Sequence, residues 1–265
     1  MAMRSHGQER IFPGNRIKNI CMAESGPDDV SIVVPAWREE RRIGRAVREL
    51  RALAGSWPGL REIIVVVERG NDGTARVTLE AAQGDPTVCV VENTEHRGKG
   101  SAVRTGMRRA AGGIIFFMDA DLSVPLAHVA PFVAHLVAHP ETAAVIGNRR
   151  HPQSILTKRQ HFLRERAGRL FNQVVRGLGL SVSKDTQCGF KAFRRAAARE
   201  IFSRARIDGF AFDTEILLLA RQLGLRVDEL PVEWINDVES KFRPLGDGWR
   251  SFRDLLKIRR LVRRP

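Results

Sequence analysis

The sequence predicts an α/β fold, a mainly parallel sheet flanked by helices, on three observations. Short apolar, β-branched runs alternate with segments of helical period. The runs are apolar on successive residues rather than every second one, the pattern of strands covered on both faces. Four consecutive strands are each followed by acids, a lysine or a glycine-rich turn, as expected where a parallel sheet collects its functional residues at the carboxyl ends of its strands.

Residues 1–29 are polar, punctuated by Gly and Pro, and read as a poorly ordered arm. The first strand is 30–34, closed by Pro35, and Ile43, Val47, Leu50 and Leu53 give a helix over 39–53. A second strand at 63–67 leads to a helix at 74–82, and a third at 88–91 leads to a helix at about 101–111. The fourth, 114–118, runs directly into Asp119-Ala120-Asp121; a helix at 126–138 and a fifth strand at 143–146 follow. Beyond 147 the character changes, for 149–169 is dominated by Arg, Lys and His with the single acid Glu165. Helices are expected at 162–178, 212–223 and 248–262, with a strand at 226–234. The division that follows is an arm (1–29), an α/β domain (30–240) and a basic amphipathic segment (241–265).

The 265 residues, 43% hydrophobic, suffice for one large core, which excludes general disorder. No apolar run reaches the roughly 18–20 residues of a membrane span, and no secretory leader is recognisable. Cys21, Cys89 and Cys188 are odd in number and irregularly spaced, as reduced thiols of a cytoplasmic protein would be. The net charge of +14 suits nucleic acid, an anionic membrane surface or a phosphorylated substrate. Against nucleic acid stand the absence of Tyr, an aromatic content of 6% and the lack of any recognition signature.

Asp119-x-Asp121 behind a buried strand offers oxygen ligands for Mg²⁺ or Mn²⁺, or else two turn acids capping the next helix. Gly98-Lys99-Gly100 is not a Walker loop, since Asn93 and Gly100 stand where Gly and Ser/Thr are required. It remains a glycine turn with a cation opening a helix, either a diphosphate neighbour or an ordinary β-α turn.

These residues occur in a telling order: Val34-Pro-Ala-x-x-Glu39-Glu40, Asp72-Gly-Thr74, Arg97-Gly-Lys-Gly100, Met118-Asp-Ala-Asp-Leu-Ser123, Asp185-Thr-Gln-Cys-Gly-Phe-Lys191 and Phe212-Asp-x-Glu215. Together they closely resemble the inverting GT-A glycosyltransferases of family 2, of the polyprenyl-phosphate sugar synthase type, notably the dolichyl-phosphate β-glucosyltransferases. The resemblance spans roughly 31–260, and 185–193 is its most specific stretch. It implies that Pro35, Ala36, Glu39 and Glu68 line the nucleotide pocket, with Lys99 nearby and Ala120 beside the ribose. It implies a divalent metal on Asp119 and Asp121, and Arg149 near the phosphates. Arg169, Gln187, Lys191 and Lys241 fall on the acceptor side, and Asp213 and Glu215 supply acid-base or positioning groups.

Two departures matter. Val67-Glu68-Arg69-Gly70 replaces the usual Asp-Asp-Gly-Ser, so base recognition must differ. Ser123 stands where mannosyl relatives carry glutamine. The function so implied is metal-dependent hexose transfer from a nucleotide sugar, a UDP-sugar favoured, to polyprenyl phosphate. A soluble metabolite or peptide acceptor is the alternative. The expected setting is the cytoplasm or its membrane face, with an anionic membrane surface or a second copy as partner and no nucleic acid. The basic stretch 149–169 reads as a clamp for an anionic head group or as a solvated surface. In the last helix Phe252, Leu255, Leu256 and Val262 share a face, suited to a membrane interface or to docking on the sheet.

Overall fold

The computed structural model describes residues 10–12, 15–17, 26–157, 173, 175, 177–180, 182–235 and 244–262. Its centre is a run of strands matching the sequence pattern: β3 (Val30–Ala36), β4 (Leu60–Glu68), β5 (Val88–Asn93), β6 (Ile114–Met118) and β7 (Thr142–Asn148). With β1 (Arg10–Phe12), β2 (Asn15–Ile17), β9 (Phe190–Arg194) and β10 (Arg226–Pro231) they form a nine-stranded sheet ordered β1-β2-β5-β4-β3-β6-β9-β7-β10. A two-stranded ribbon pairs β8 (Ile155–Leu156) with β11 (Glu233–Trp234) in parallel.

The strands from β5 through β6 are all parallel, and β7 pairs in parallel with β10. Strand β9 enters antiparallel between β6 and β7. The order turns back at β3, which lies between β4 and β6, so the crevice there is the expected ligand position.

Side chains alternate between two cores, one on each face of the sheet. Val33, Ile64, Val66, Ile115 and Phe117 face one way. They are covered by α3 (Lys99–Arg109), α5 (Arg195–Arg204), α6 (Phe212–Gln222) and α7 (Pro244–Val262). Ile32, Val34, Ile63, Val65 and Phe116 face the other way, under α1 (Ile43–Ser56), α2 (Thr74–Ala82) and α4 (Val129–Ala138).

The structure differs from the sequence reading in four places. Helix α1 starts at Ile43, not at 39, because Arg38 adopts a left-handed φ of 56° and 39–42 form a turn. Part of the segment read as an unstructured arm extends the sheet, Asn15–Ile17 pairing antiparallel with 91–93. Strand β9 and helix α5 were not anticipated. In the last helix, Leu255 and Ile258 are 0% and 1% exposed in the α3-side core, whereas Phe252, expected on the same face as Leu255, is 36% exposed, so the docked face is not the one read from the sequence. Most of helix 162–178 and most of the basic stretch 149–169 lie outside the described residues.

Candidate active site

The site forms where β3, β4, β5, β6 and β7 end. From β6 the chain turns through Asp119, Ala120 and Asp121, and the turn is closed by Leu122 in the left-handed region at φ 51° and by Ser123 N–H on Asp121 Oδ1 at 2.9 Å. A left-handed leucine is costly and marks a turn whose shape is imposed by its surroundings. The surroundings are the residue leading into β9: Asp119 N–H donates to Gly189 O at 3.1 Å. A Cβ on Gly189 would fall 2.0 Å from Asp119 Oδ2, so only glycine leaves room for that carboxylate.

Lys99 Nζ lies 2.6 Å from Asp119 Oδ1 and 5.9 Å from the Phe212 ring centroid. Burial works against its charge, but Asp119, Asp213 and Asp121 together hold the ammonium above its ordinary range. Burial, and after it the charge of Asp119, pushes the Asp121 carboxyl up. That repulsion is what a cation relieves. Two carboxylates on one turn, one already bearing an ammonium, make a donor set that fits a hard divalent ion. Among the described residues no third His, Cys, Asp or Glu joins them. Two protein ligands are enough for Mg²⁺ or Mn²⁺, which keep waters and bind substrate phosphate oxygens.

Behind this turn lies a buried ion pair. Lys191, 0% exposed, donates from Nζ to Asp213 Oδ1 at 2.5 Å and to Cys188 O at 2.6 Å, with the Phe117 ring centroid 5.0 Å away. Burial pushes the Asp213 carboxyl up, and Lys191 and Lys99 pull it back. Burial likewise raises the neighbouring Cys188 thiol to about 12, so it stays protonated. At the end of β7, Arg149 is clasped by Asp185, Nε to Oδ2 at 2.8 Å and Nη2 to Oδ1 at 2.7 Å, and its guanidinium lies 5.5 Å from the Trp234 ring centroid. Burial opposes the Asp185 charge, but Arg149 prevails and holds its carboxyl below the usual range. Ile235 N–H donates to Ser123 O at 2.8 Å, fastening the β8–β11 ribbon to the Asp119–Asp121 turn.

The residues expected from sequence fall into three groups. Asp119, Asp121, Lys99, Arg149 and Gln187 come together at this edge; Gln187 Nε2 and Thr186 Oγ1 are buried polar atoms without a partner among the described residues. Others reach the edge but are occupied. Asp213 is 1% and Glu215 3% exposed. Glu215 accepts the Arg206 and Ile207 N–H groups at 2.8 and 2.9 Å, so it anchors a loop rather than facing an acceptor. Lys191, expected on the acceptor side, is likewise internal. Pro35, Ala36 and Ala120 are buried in the sheet and its core, and Glu39 is paired with Arg42 at 2.8 Å. Arg169 and Lys241 lie outside the described residues.

Glu68 needs the largest revision. It is 2% exposed, and its oxygens accept Asn93 Nδ2 at 2.8 Å, Arg97 N–H at 2.7 Å, Gly98 N–H at 3.0 Å and His96 Nδ1 at 3.0 Å. It holds the 93–98 loop rather than meeting a base directly. The glycine turn is revised too. Gly100 and Ser101 donate their N–H groups to Asp208 O at 2.8 and 3.3 Å, and a Cβ on Gly98 (φ 128°) would lie 2.5 Å from that oxygen. Its glycines serve close packing, not anion binding, and only Lys99 faces the site. The sequence reading passed over Asp185 as partner of Arg149, Gly189, Trp234 and the Trp37–His96 pair; their partners are too distant in sequence for spacing to reveal.

A doubly covered sheet whose strand ends gather an Asp pair, Lys99 and Arg149 has the layout of a GT-A glycosyltransferase. The chain belongs to glycosyl transferase family 2, whose family model matches residues 31–202. It is 32% identical to the dolichyl-phosphate beta-glucosyltransferase of Drosophila melanogaster, over 96% of this chain and 82% of that protein. To the human protein of that name the identity is 29%, over 97% and 84%. Among solved structures it resembles glucosyl-3-phosphoglycerate synthase from Mycobacterium tuberculosis in complex with Mn²⁺, UDP-glucose and phosphoglyceric acid. There the TM-score is 0.64 at 18% identity, covering 88% of this chain and 79% of that one.

Proposed function

We propose that the chain is an inverting, metal-dependent hexosyltransferase that moves a sugar from a nucleotide donor, a UDP-sugar by preference, to polyprenyl phosphate at a membrane surface. The relatives' names support the acceptor class and the UDP-glucose-bound fold neighbour supports the donor class. The observation that carries the reading is how the site spends its charges. Asp119 and Asp121 are left to the donor side, with Lys99 and Arg149 beside them, whereas Asp213 and Glu215 are committed inside the protein.

As the bond from sugar to diphosphate lengthens, negative charge gathers on the leaving group, and Lys99 and Arg149 offset it at fixed positions. A divalent cation held by Asp119 and Asp121 would add charge neutralisation at the diphosphate. The anomeric carbon, gaining oxocarbenium character, takes the acceptor oxygen on its opposite face. A phosphate acceptor is already anionic at neutral pH and needs no general base. Asp213 therefore stays paired with Lys191 rather than taking a proton. Among the described residues no helix is long and apolar enough to cross a membrane.

The deciding experiment is a donor screen with Mg²⁺ or Mn²⁺ and a short-chain polyprenyl phosphate, following nucleoside diphosphate release. Release that requires the lipid and disappears with EDTA or in Asp121→Ala is the expected result. Nucleotide-sugar binding without lipid-dependent turnover would move the assignment to a soluble acceptor.

A further inference from the structure

We propose that His96 selects the base of the donor nucleotide: its Nε2 accepts the imide N–H of uracil. The inference rests on the nucleotide-sugar reading above and deepens it. Base recognition needs a replacement group here, because Glu68 is withdrawn. Both of its oxygens are consumed by the 93–98 loop. The residue that receives this commitment and faces outward is His96, its side chain 38% exposed where the side chain of Glu68 is 1% exposed.

Its ring is fixed from two directions. It stacks on Trp37, immediately after β3, with centroids 4.3 Å apart and planes within 7°. Arg38 adds a cation at 4.9 Å from the Trp37 ring centroid. In the ring plane, Nδ1 lies 3.0 Å from Glu68 Oε2. That oxygen already accepts two backbone N–H groups, so it is an acceptor toward the ring as well, which places the ring N–H on Nδ1. In the neutral ring Nε2 then carries a lone pair, and among the described residues it has no partner. A fixed, half-exposed acceptor at the rim between the ends of β3, β4 and β5 matches a base that offers an in-plane N–H. Uracil offers one at N3. Cytosine presents a lone pair at the same position and is repelled.

The test is calorimetric titration of the full chain, in Mn²⁺, with UDP, CDP, GDP and N3-methyl-UDP. UDP is expected to bind at least tenfold more tightly than CDP or N3-methyl-UDP, the scale of one lost hydrogen bond with its acceptor left facing the ligand. His96→Phe, which keeps an aromatic ring on Trp37, should lose about tenfold for UDP and lose nothing for CDP, whose repulsion it relieves, so that the UDP-to-CDP ratio collapses, and His96→Gln should recover part of the preference. Equal affinity of the wild-type chain for UDP and N3-methyl-UDP would overturn the inference without recourse to any variant. So would an unchanged UDP-to-CDP ratio in a folded His96→Phe protein, or GDP binding more tightly than UDP. A wild-type chain that binds none of these nucleotides would instead overturn the nucleotide-sugar reading on which the inference stands.

Discussion

At the scale of single residues, the site depends on two residues that never meet a substrate. Gly189 makes room for Asp119, and any Cβ there falls 2.0 Å from Oδ2 and 2.4 Å from Cγ of that side chain, so the carboxylate has to leave its place. Gly189→Ala is therefore expected to cut kcat/KM by about 100-fold through displacement of the Asp119 carboxylate. Its thermal midpoint should stay within a few degrees, and a steady-state comparison alongside a melting curve checks both. Lys191 is the second. Lys191→Met strands the Asp213 carboxylate in a dry interior, which costs about 3–5 kcal/mol, whereas adding Asp213→Leu should return most of it. Urea titration of Lys191→Met, Asp213→Leu and the double variant measures the difference; a double variant destabilised by the sum of the two singles would mean that the pair is not coupled. The sequence made Asp119 and Asp121 legible because they follow a strand directly, and Lys99 because it stands in a glycine turn that opens a helix. It could not show that Glu68, Glu215 and Lys191 are spent internally, since their partners lie on loops and backbone groups that only the tertiary fold brings near.

Among elements, the far edge of the sheet is fastened by one carboxylate. Asp228, on β10, accepts His135 Nε2 from α4 at 2.9 Å, Thr142 Oγ1 from β7 at 2.7 Å and Arg226 Nε at 2.9 Å. Partial burial works against its charge, but His135, Arg226 and Thr142 win and lower its pKa to about 2. Because the folded value lies below the unfolded one, the unfolded chain takes up the proton first. The stabilisation is complete above about pH 4 and is lost as the pH falls from there toward 2. The shift corresponds to about 2 kcal/mol. Asp228→Asn should be less stable than the wild type at pH 6 and nearly level with it at pH 2, which denaturant titrations at the two pH values would read. Elements with a single periodicity were legible: Thr74–Ala82 and Ile114–Met118 have the bounds that the sequence predicts. Strand β9 was not, because Phe-Lys-Ala-Phe-Arg places a lysine where a central strand is expected to be apolar. That lysine is admissible only because Asp213 and the Cys188 carbonyl meet it.

For the whole molecule, the sheet separates two cores and the candidate site lies along its carboxyl edge, where loops from both layers converge. Five strands of the six-strand parallel frame follow from the apolar runs, and +14 of net charge was legible without any structure. The antiparallel insertion and the β1–β2 extension depend on pairings that no local pattern carries. A ligand bound at an edge shared by both layers should stabilise the chain as one unit, because it binds the folded state alone. UDP at 100 times its Kd, with Mn²⁺ present, adds about 2.7 kcal/mol. For a chain of this size each kcal/mol raises the midpoint by about 2–4 °C, so calorimetry should find a single transition moved up by about 5–10 °C. If Asp119 and Asp121 hold the metal that carries the diphosphate, EDTA should remove most of that rise, and Asp121→Ala should show little of it with or without the chelator. A rise of equal size with and without EDTA would mean that the diphosphate is held by Lys99 and Arg149 alone. A transition that splits on adding UDP would mean that the two layers unfold separately and that the ligand stabilises only one of them.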